Sequence, residues 1–392
     1  MMIKKIYMPL LLLAFFVLAS VILIPSVILW HSGEMWSKEA LVKHQIKHDA
    51  LVGYGLVDEE EAYKKTLYKT LNPEIIMIGS SRVLQFKAEM FSRPFLNMGR
   101  GLDLYDLKNE VKILTDNPNL KTVLFGIDYW NFGHHFCEAH ANYNATEQAV
   151  GVNSANISKF SNLIPREILN VWPMILDGRV SLSLFLKYAS EFLSDDGAAL
   201  NKRGLRALYS NKGGFLKDGS YVFMNPEQMV RGRENKILNI IEDGAPYHFS
   251  KTERFCNKAL SDLLYLKKTL DEKGITLIAF LPPLPERHTR LVTNTQTSLE
   301  IYNSMTSAFK SLKPKITVED YLNPDVVVYS DKEFIDEIHP SEVISSRILH
   351  DLASKNPIFA DKINQSVVQD QINLCAGQVI CSHIYSKYTI PE

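Results

Sequence analysis

The chain has 392 residues, of which 46% are hydrophobic and 22% charged. That composition excludes the disordered class and allows one large domain with embellishments or two ordinary ones. Its 43 Lys and Arg against 44 Asp and Glu give a formal charge of −1, so no global basic field points to a nucleic-acid partner.

Lys4 and Lys5 are followed by Ile6 to Trp30, a run without a charged residue. At ~1.5 Å rise per residue, such a helix covers the ~30 Å hydrocarbon core of a bilayer. A cleaved signal peptide is the alternative, but its apolar region is usually ~7–15 residues long. Here Ala19-Ser20 falls in mid-run and the apolar stretch continues beyond it. Residues 1–30 are therefore read as an uncleaved transmembrane anchor. Lys4 and Lys5 would stay cytoplasmic and the rest would lie outside, in an extracytoplasmic or periplasmic space. Pro25 is tolerable in a membrane helix. Residues 31–72 read as a polar, helical juxtamembrane stalk, closed by Asn72-Pro73.

From residue 73 the pattern alternates. Ile75–Ile78 is a continuous apolar run ended by Gly79, as expected of a central parallel strand covered on both faces. Pro94–Asn97 is a short second strand. Leu104, Leu107, Val111 and Leu114 form one helix face with Asp103 as N-cap, and Thr122–Asp128 is a third strand. The rhythm stops over residues 135–250, read as an insertion or lid over the sheet. Within it Leu182–Leu193 reads as a helix, and turn signals at Lys212-Gly-Gly and Asp218-Gly219 flank hairpin strands such as Tyr221–Met224. The rhythm returns over 251–355. Arg254–Lys273 is a helix capped by Gly274, Ile275–Leu281 a strand, Ser298–Leu312 a helix and Ile316–Val318 a strand. Val326–Tyr329 is a further candidate strand, and Ser341–Ala353 a helix. Residues 356–392 read as a weakly patterned polar tail. The expected fold is α/β: a three-layer sandwich around a flavodoxin-like parallel sheet.

Four stretches fall at strand ends or in the loops beyond them, where α/β sheets carry their working residues. They are Gly79-Ser-Ser81, Asn97-Met-Gly-Arg-Gly101, Gly126-Ile-Asp128 and Asp336-Glu-Ile-His339. Acyl transfer by serine needs a base, an acid that orients the base, and donors for the oxyanion. Ser81 on a strand-to-helix turn suits the nucleophile, His339 the base and Asp336 its orienter. Gly99, Gly101 and Ser81 can offer backbone N–H groups.

These blocks, in this order, resemble the SGNH (GDSL-like) hydrolase superfamily over residues 73–128 and 251–352. Gly79-Ser80-Ser81 stands where the family has Gly-Asp-Ser. Gly-Ser-Ser is similar to its membrane-anchored extracytoplasmic branch, which includes proteins of teichoic-acid D-alanylation and alginate O-acetylation. The resemblance implies a serine O-acyltransferase or esterase acting on O-acyl groups of a cell-surface glycan or an acylated carrier, with no cofactor. It also implies an MBOAT-type membrane acyltransferase as partner. An inactive binding module in a polysaccharide modification or export complex is the alternative. The third block departs from the family's Gly-x-Asn, because Asp128 holds the amide's place. Asp128 is then expected to be protonated, or paired with Arg82 or Arg100, or to bind an acceptor hydroxyl, or else the oxyanion hole is built otherwise.

Cys137, Cys256, Cys375 and Cys381 permit two bridges in a translocated domain. Cys137–Cys256 with Cys375–Cys381 is the preferred pairing, and four free thiols are the alternative. His134-His-Phe-Cys-Glu-Ala-His140 is read as packing rather than as a metal site. Tyr129, Trp130 and Phe132 are read as core, with a sugar-stacking wall as the alternative.

Overall fold

The computed structural model describes residues 2–55, 60–102, 104, 107–134, 166–181, 183, 185–186, 201–210, 213–223, 254–286, 288–290, 296–323 and 326–379. In chain order it contains α1 (Met2–Ser32), α2 (Lys38–His48), β1 (Leu51–Val52), α3 (Glu60–Leu71), β2 (Ile75–Gly79), β3 (Phe95–Asn97), α4 (Leu107–Thr115) and β4 (Thr122–Gly126). There follow α5 (Arg166–Leu176), β5 (Lys202–Arg203), α6 (Leu205–Leu208), β6 (Gly213–Phe215), β7 (Tyr221–Phe223), α7 (Asn257–Glu272) and β8 (Thr276–Leu281). The last elements are α8 (Gln296–Leu312), β9 (Val318–Asp320), α9 (Glu342–Lys355), α10 (Pro357–Ala360) and α11 (Gln365–Cys375). The chain forms two compact units, Met1–Glu59 with Gln148–Gly214, and Glu60–Glu147 with Phe215–Glu392.

The second unit holds a five-stranded parallel sheet in the order β3-β2-β4-β8-β9. Numbered within this sheet, the order is 2-1-3-4-5, the flavodoxin-like winding. β2 and β4 are buried along their whole length, which is why they read as unbroken apolar runs. Ile75, Met77, Leu124, Ile278 and Phe280 face one core, shared with Val343, Ile344, Ile348, Leu349 and Leu352 of α9. The alternate residues Ile76, Ile78, Val123 and Phe125 are also buried, as a sheet covered on both faces requires.

Several expectations need correction. The described part of the tail, residues 356–379, contributes to the core rather than hanging off it: Phe359, Ile363, Val368 and Cys375 join the cluster under α9. Its helices are short, so neither repeats an apolar face often enough to stand out, although Asn356 caps α10 ahead of Pro357. The fifth strand lies at Val318–Asp320, two residues later than expected. Val326–Tyr329 is not a strand. The Tyr329 hydroxyl donates to the Leu284 carbonyl at 3.0 Å, and Val328 points to solvent.

Nor is the segment 31–72 a stalk. In the first unit Leu41, Val42, Leu51 and Val52 are buried, and β1 pairs in parallel with β5. Glu34 ties this unit together, one carboxylate oxygen accepting the Gly55 N–H at 2.7 Å and the Leu205 N–H at 2.8 Å. The expected insertion at 135–250 is likewise divided, residues 148–214 belonging to the first unit and 215 onward to the second. The expected helix Leu182–Leu193 and N-cap Asp103 fall largely or wholly outside the described residues.

α1 is one continuous helix of 31 residues. The side chains of residues 2–11, 14, 17 and 18 lie outside the description, and among the described residues no helix is long and apolar enough to cross a membrane. The transmembrane reading of 1–30 thus gains no support from the structure.

Candidate active site

β2 delivers the turn that carries Ser80 and Ser81. Gly79 has φ +138°, and a Cβ there would stand 2.4 Å from the Gly126 carbonyl oxygen. Only glycine lets β2 and β4 end this close together. The chain then enters a 3-10 turn, Ser81–Val83, and the Ser80 hydroxyl caps it by accepting the Arg82 N–H at 3.2 Å. Ser81 is the first residue of the turn, where a backbone N–H has no intrahelical partner.

Residues 336–339 form a tight loop before α9. The Ile335 N–H donates to the His339 carbonyl at 2.9 Å, and Phe334 bridges Pro340. Asp336 Oδ1 accepts the backbone N–H groups of Ile338 and His339, both at 2.9 Å. Its carboxylate also meets His339 Nδ1, at 2.7 Å from Oδ2 and 2.8 Å from Oδ1. On the far side of the ring, His339 Nε2 lies 2.7 Å from Ser81 Oγ. Residues 258 positions apart in sequence therefore meet at the carboxyl rim of one sheet.

Burial alone would raise the Asp336 pKa, but the His339 imidazole and the two backbone donors outweigh it and hold the carboxyl at about 2. An ionised carboxylate only accepts, so Nδ1 carries the imidazole proton. Nε2 is left as acceptor, aimed at the Ser81 O–H. This is the tautomer a serine nucleophile needs.

Arg82 is not a ligand-facing cation. It is 1% exposed, and each of its three guanidinium nitrogens donates to the protein. Nη1 donates to Asp128 Oδ1 at 2.7 Å, Nε to the Ile338 carbonyl at 3.2 Å, and Nη2 to the carbonyls of Pro282, at 2.8 Å, and Pro283. The Trp130 ring centroid lies 5.1 Å from its central carbon. Of the alternatives open for Asp128, pairing with Arg82 is the one observed, and the pair is buried on both sides.

Arg100 pairs instead with Glu60 at 2.8 Å and is over one-third exposed. Its φ of +64° turns the loop so that its N–H reaches the Gly79 carbonyl. The two glycine amides expected as oxyanion donors are occupied. Gly99 N–H donates to Asn97 Oδ1 at 2.9 Å and Gly101 N–H to the Met98 carbonyl at 2.8 Å. Sequence spacing places such glycines correctly but cannot tell which amides the loop itself consumes.

Two further groups escaped the sequence reading. Asn131 lines a cavity of about 40 Å³ with Gly79, Ser80, Gly126 and Asp128; it brings a carboxamide beside the nucleophile turn, three residues beyond the position where the family pattern puts one. Phe223 on β7 stands with its ring centroid 5.6 Å from that of His339. The hairpin that carries it is docked on the site loops, because Asp218 accepts the Asn97 N–H through its carbonyl and the Ala88 N–H through its carboxylate, both at 2.7 Å.

Beneath this hairpin, the buried Lys64 amine donates to the carbonyls of Asn97, at 2.7 Å, and Gly219. Desolvation pulls its pKa down to about 7, against the raising influence of Glu60 and Asp218. An unfolded lysine titrates at ~10.4, so between about pH 7 and 10 the unfolded chain holds the extra proton. Folding stability is expected to rise with pH across that window. Lys64→Met should flatten the rise in urea titrations, and an unchanged slope in the variant would refute the assignment.

Tyr129, Trp130 and Phe132 are buried. Phe132 stacks on Phe255 at 6.0 Å, which makes them core rather than a sugar-stacking wall. Residues 135–140 lie outside the described residues, among which no metal-binding cluster occurs. Cys256 and Cys375 are both disulfide-bonded, which removes the free-thiol alternative for these two. Cys137 and Cys381, their expected partners, lie outside the described residues. Comparison with protein-family models, curated proteins and solved structures finds no match.

Proposed function

We propose that the second unit is a serine acyl-transfer enzyme of SGNH type. Its reaction would be O-acyl transfer or hydrolysis on a cell-surface glycan, performed outside the cytoplasm by a chain tethered through its N-terminal apolar helix. The observation that carries this reading is the unbroken chain Ser81 Oγ–His339–Asp336, with 2.7 Å at each link. In this mechanism Ser81 Oγ attacks the acyl carbonyl carbon while His339 Nε2 takes its proton. The tetrahedral oxyanion collapses, the leaving oxygen receives that proton, and the acyl group remains on Ser81. A sugar hydroxyl, or water in the esterase case, then attacks the ester and restores the serine.

The Ser81 N–H, at the first position of its 3-10 turn, is the proposed oxyanion donor. Two disulfide-bonded cysteines suit an oxidising compartment outside the cytoplasm. The uncharged run Ile6–Trp30 after Lys4 and Lys5 supports the tether, and an MBOAT-type acyl supplier remains part of the proposal.

A catalytically inactive binding module is the second reading. It is favoured by the occupied amides of Gly99 and Gly101 and by the carboxylate at position 128. A fluorophosphonate probe separates the two readings. An active enzyme is labelled, and Ser81→Ala and His339→Ala both abolish labelling. Absence of labelling in the wild type, or its persistence in Ser81→Ala, would overturn the enzyme reading.

A further inference from the structure

Pro25 sits inside α1 and has no N–H, so it leaves the carbonyl of Val21, four residues back, without its helical donor. That carbonyl is not left empty. The indole N–H of Trp172, on α5, donates to it at 2.8 Å. The other polar groups of this stretch of α1 are satisfied from within: Ser20 Oγ donates to the Phe16 carbonyl at 2.7 Å and Ser26 Oγ to the Ile22 carbonyl at 2.8 Å. The i−4 hydroxyl bonds are shared by exposed residues of the second unit, such as Thr66, Thr70, Ser261 and Thr269, so the distinctive feature is the Trp172 bond: in hydrocarbon a carbonyl freed by proline must find such a donor.

The outward surface agrees. Leu12, Leu13, Phe15, Phe16, Leu23 and Val27 of α1 are all about half exposed or more. Successive positions at 100° place them on one broad face. On α5, Leu169 and Leu176 are 46% and 83% exposed, and their seven-residue spacing puts them on one side of that helix. Patches of this extent mark a protein or membrane partner. The uncharged run Ile6–Trp30 behind Lys4 and Lys5 selects lipid, because it is long enough to cross the ~30 Å core.

The depth is also consistent. Val21 lies 16 residues beyond Lys5, or about 24 Å along the helix at ~1.5 Å per residue. With Lys5 at the inner boundary of a ~30 Å core, Val21 falls some 6 Å short of the outer one. An amphipathic interfacial helix buries its apolar face by ~5–10 Å, and tryptophan is enriched at that level.

We propose that α5 is an interfacial membrane helix, seated on α1 by the Trp172–Val21 hydrogen bond, with the Leu169 and Leu176 side chains at the headgroup–acyl boundary of the outer leaflet, where water reaches the Leu169 carbonyl that Pro173 leaves without its helical donor. The inference rests on the proposed tether. The test uses the full-length protein in phosphatidylcholine–phosphatidylglycerol vesicles, with an environment-sensitive fluorophore attached at Leu169→Cys or Leu176→Cys, and at the exposed Ser354→Cys as the aqueous control. The fluorophores at 169 and 176 should be quenched several-fold by lipid-borne nitroxides and shielded from aqueous iodide, and the one at 354 should show the reverse. Flotation with the vesicles combined with iodide quenching at 169 and 176 equal to that at 354 would overturn the α5 assignment and spare the tether. Failure to float would overturn both. Leu176 is so exposed that its replacement removes little packing, so misfolding does not confound the result.

Discussion

Asp336→Asn is expected to lower acyl transfer by about 10⁴-fold while leaving the fold intact. The asparagine oxygen can still accept the two backbone N–H groups that Asp336 Oδ1 now receives. Its NH2 group then faces His339 Nδ1 and donates to it. That reverses the tautomer: the ring proton moves to Nε2, 2.7 Å from Ser81 Oγ, and the base can no longer accept the serine proton. Turnover of an activated ester such as p-nitrophenyl acetate measures the loss, and a decrease of less than tenfold would remove Asp336 from the mechanism. A second readout is independent of activity. The wild-type carboxyl titrates at about 2 when folded and at ~3.9 when unfolded. Its contribution to stability is complete above about pH 4 and is lost as pH falls through about 2. The lowering from ~3.9 to about 2 corresponds to about 3 kcal/mol. Asp336→Asn should lack this acid-sensitive increment in denaturant titrations carried out at pH 5 and at pH 2.5.

The parts that were legible in the sequence share a physical cause. β2 and β4 are buried throughout and β8 over Ile278–Leu281, so they read as apolar runs ended by Gly79, Gly126 and Pro282. The strand ends then pointed to Ser81 and His339, because a parallel sheet puts its loops at one rim. What failed depends on who occupies a donor. Gly99 and Gly101 have the expected spacing, but Asn97 Oδ1 and the Met98 carbonyl take their amides. No pattern of residue types reveals such local bonds. Arg82 is one of the partners expected for Asp128, and that pair forms, but nothing in the sequence shows that the carbonyls of residues 282, 283 and 338 converge on the same guanidinium. The stalk expected over 31–72 and the polar tail expected from 356 differ from the described residues there, because short helices with few apolar positions look solvated. Their burial comes from partners far away in the sequence, as with Glu34 and the Leu205 amide.

That convergence makes Arg82 the most consequential side chain for stability. One guanidinium joins the turn after β2 to Asp128 beyond β4, to Pro282 and Pro283 beyond β8, and to Ile338 in the loop of the base. Arg82→Ala strands a carboxylate that is 3% exposed and leaves three carbonyls without this donor. Removing one partner of a buried ion pair costs about 3–5 kcal/mol, a large part of the ~5–15 kcal/mol that holds a typical domain together. The variant should unfold at markedly lower urea concentration, with reduced yield. In Arg82→Ala/Asp128→Asn the stranded group is neutral, so the double variant should be more stable than Arg82→Ala alone. Asp128→Asn by itself keeps an oxygen to accept the Nη1 proton and should cost less than Arg82→Ala. Lysine at position 82 carries the charge but cannot reach acceptors in several directions at once, so Arg82→Lys should rescue only in part. The competing role makes the opposite prediction. If Arg82 bound substrate, Arg82→Ala would fold normally and raise KM with little change in stability, and Asp128→Asn would give it no relief. Equal urea midpoints for the wild type and Arg82→Ala would therefore remove the guanidinium as the element that locks the nucleophile turn to the loop of its base.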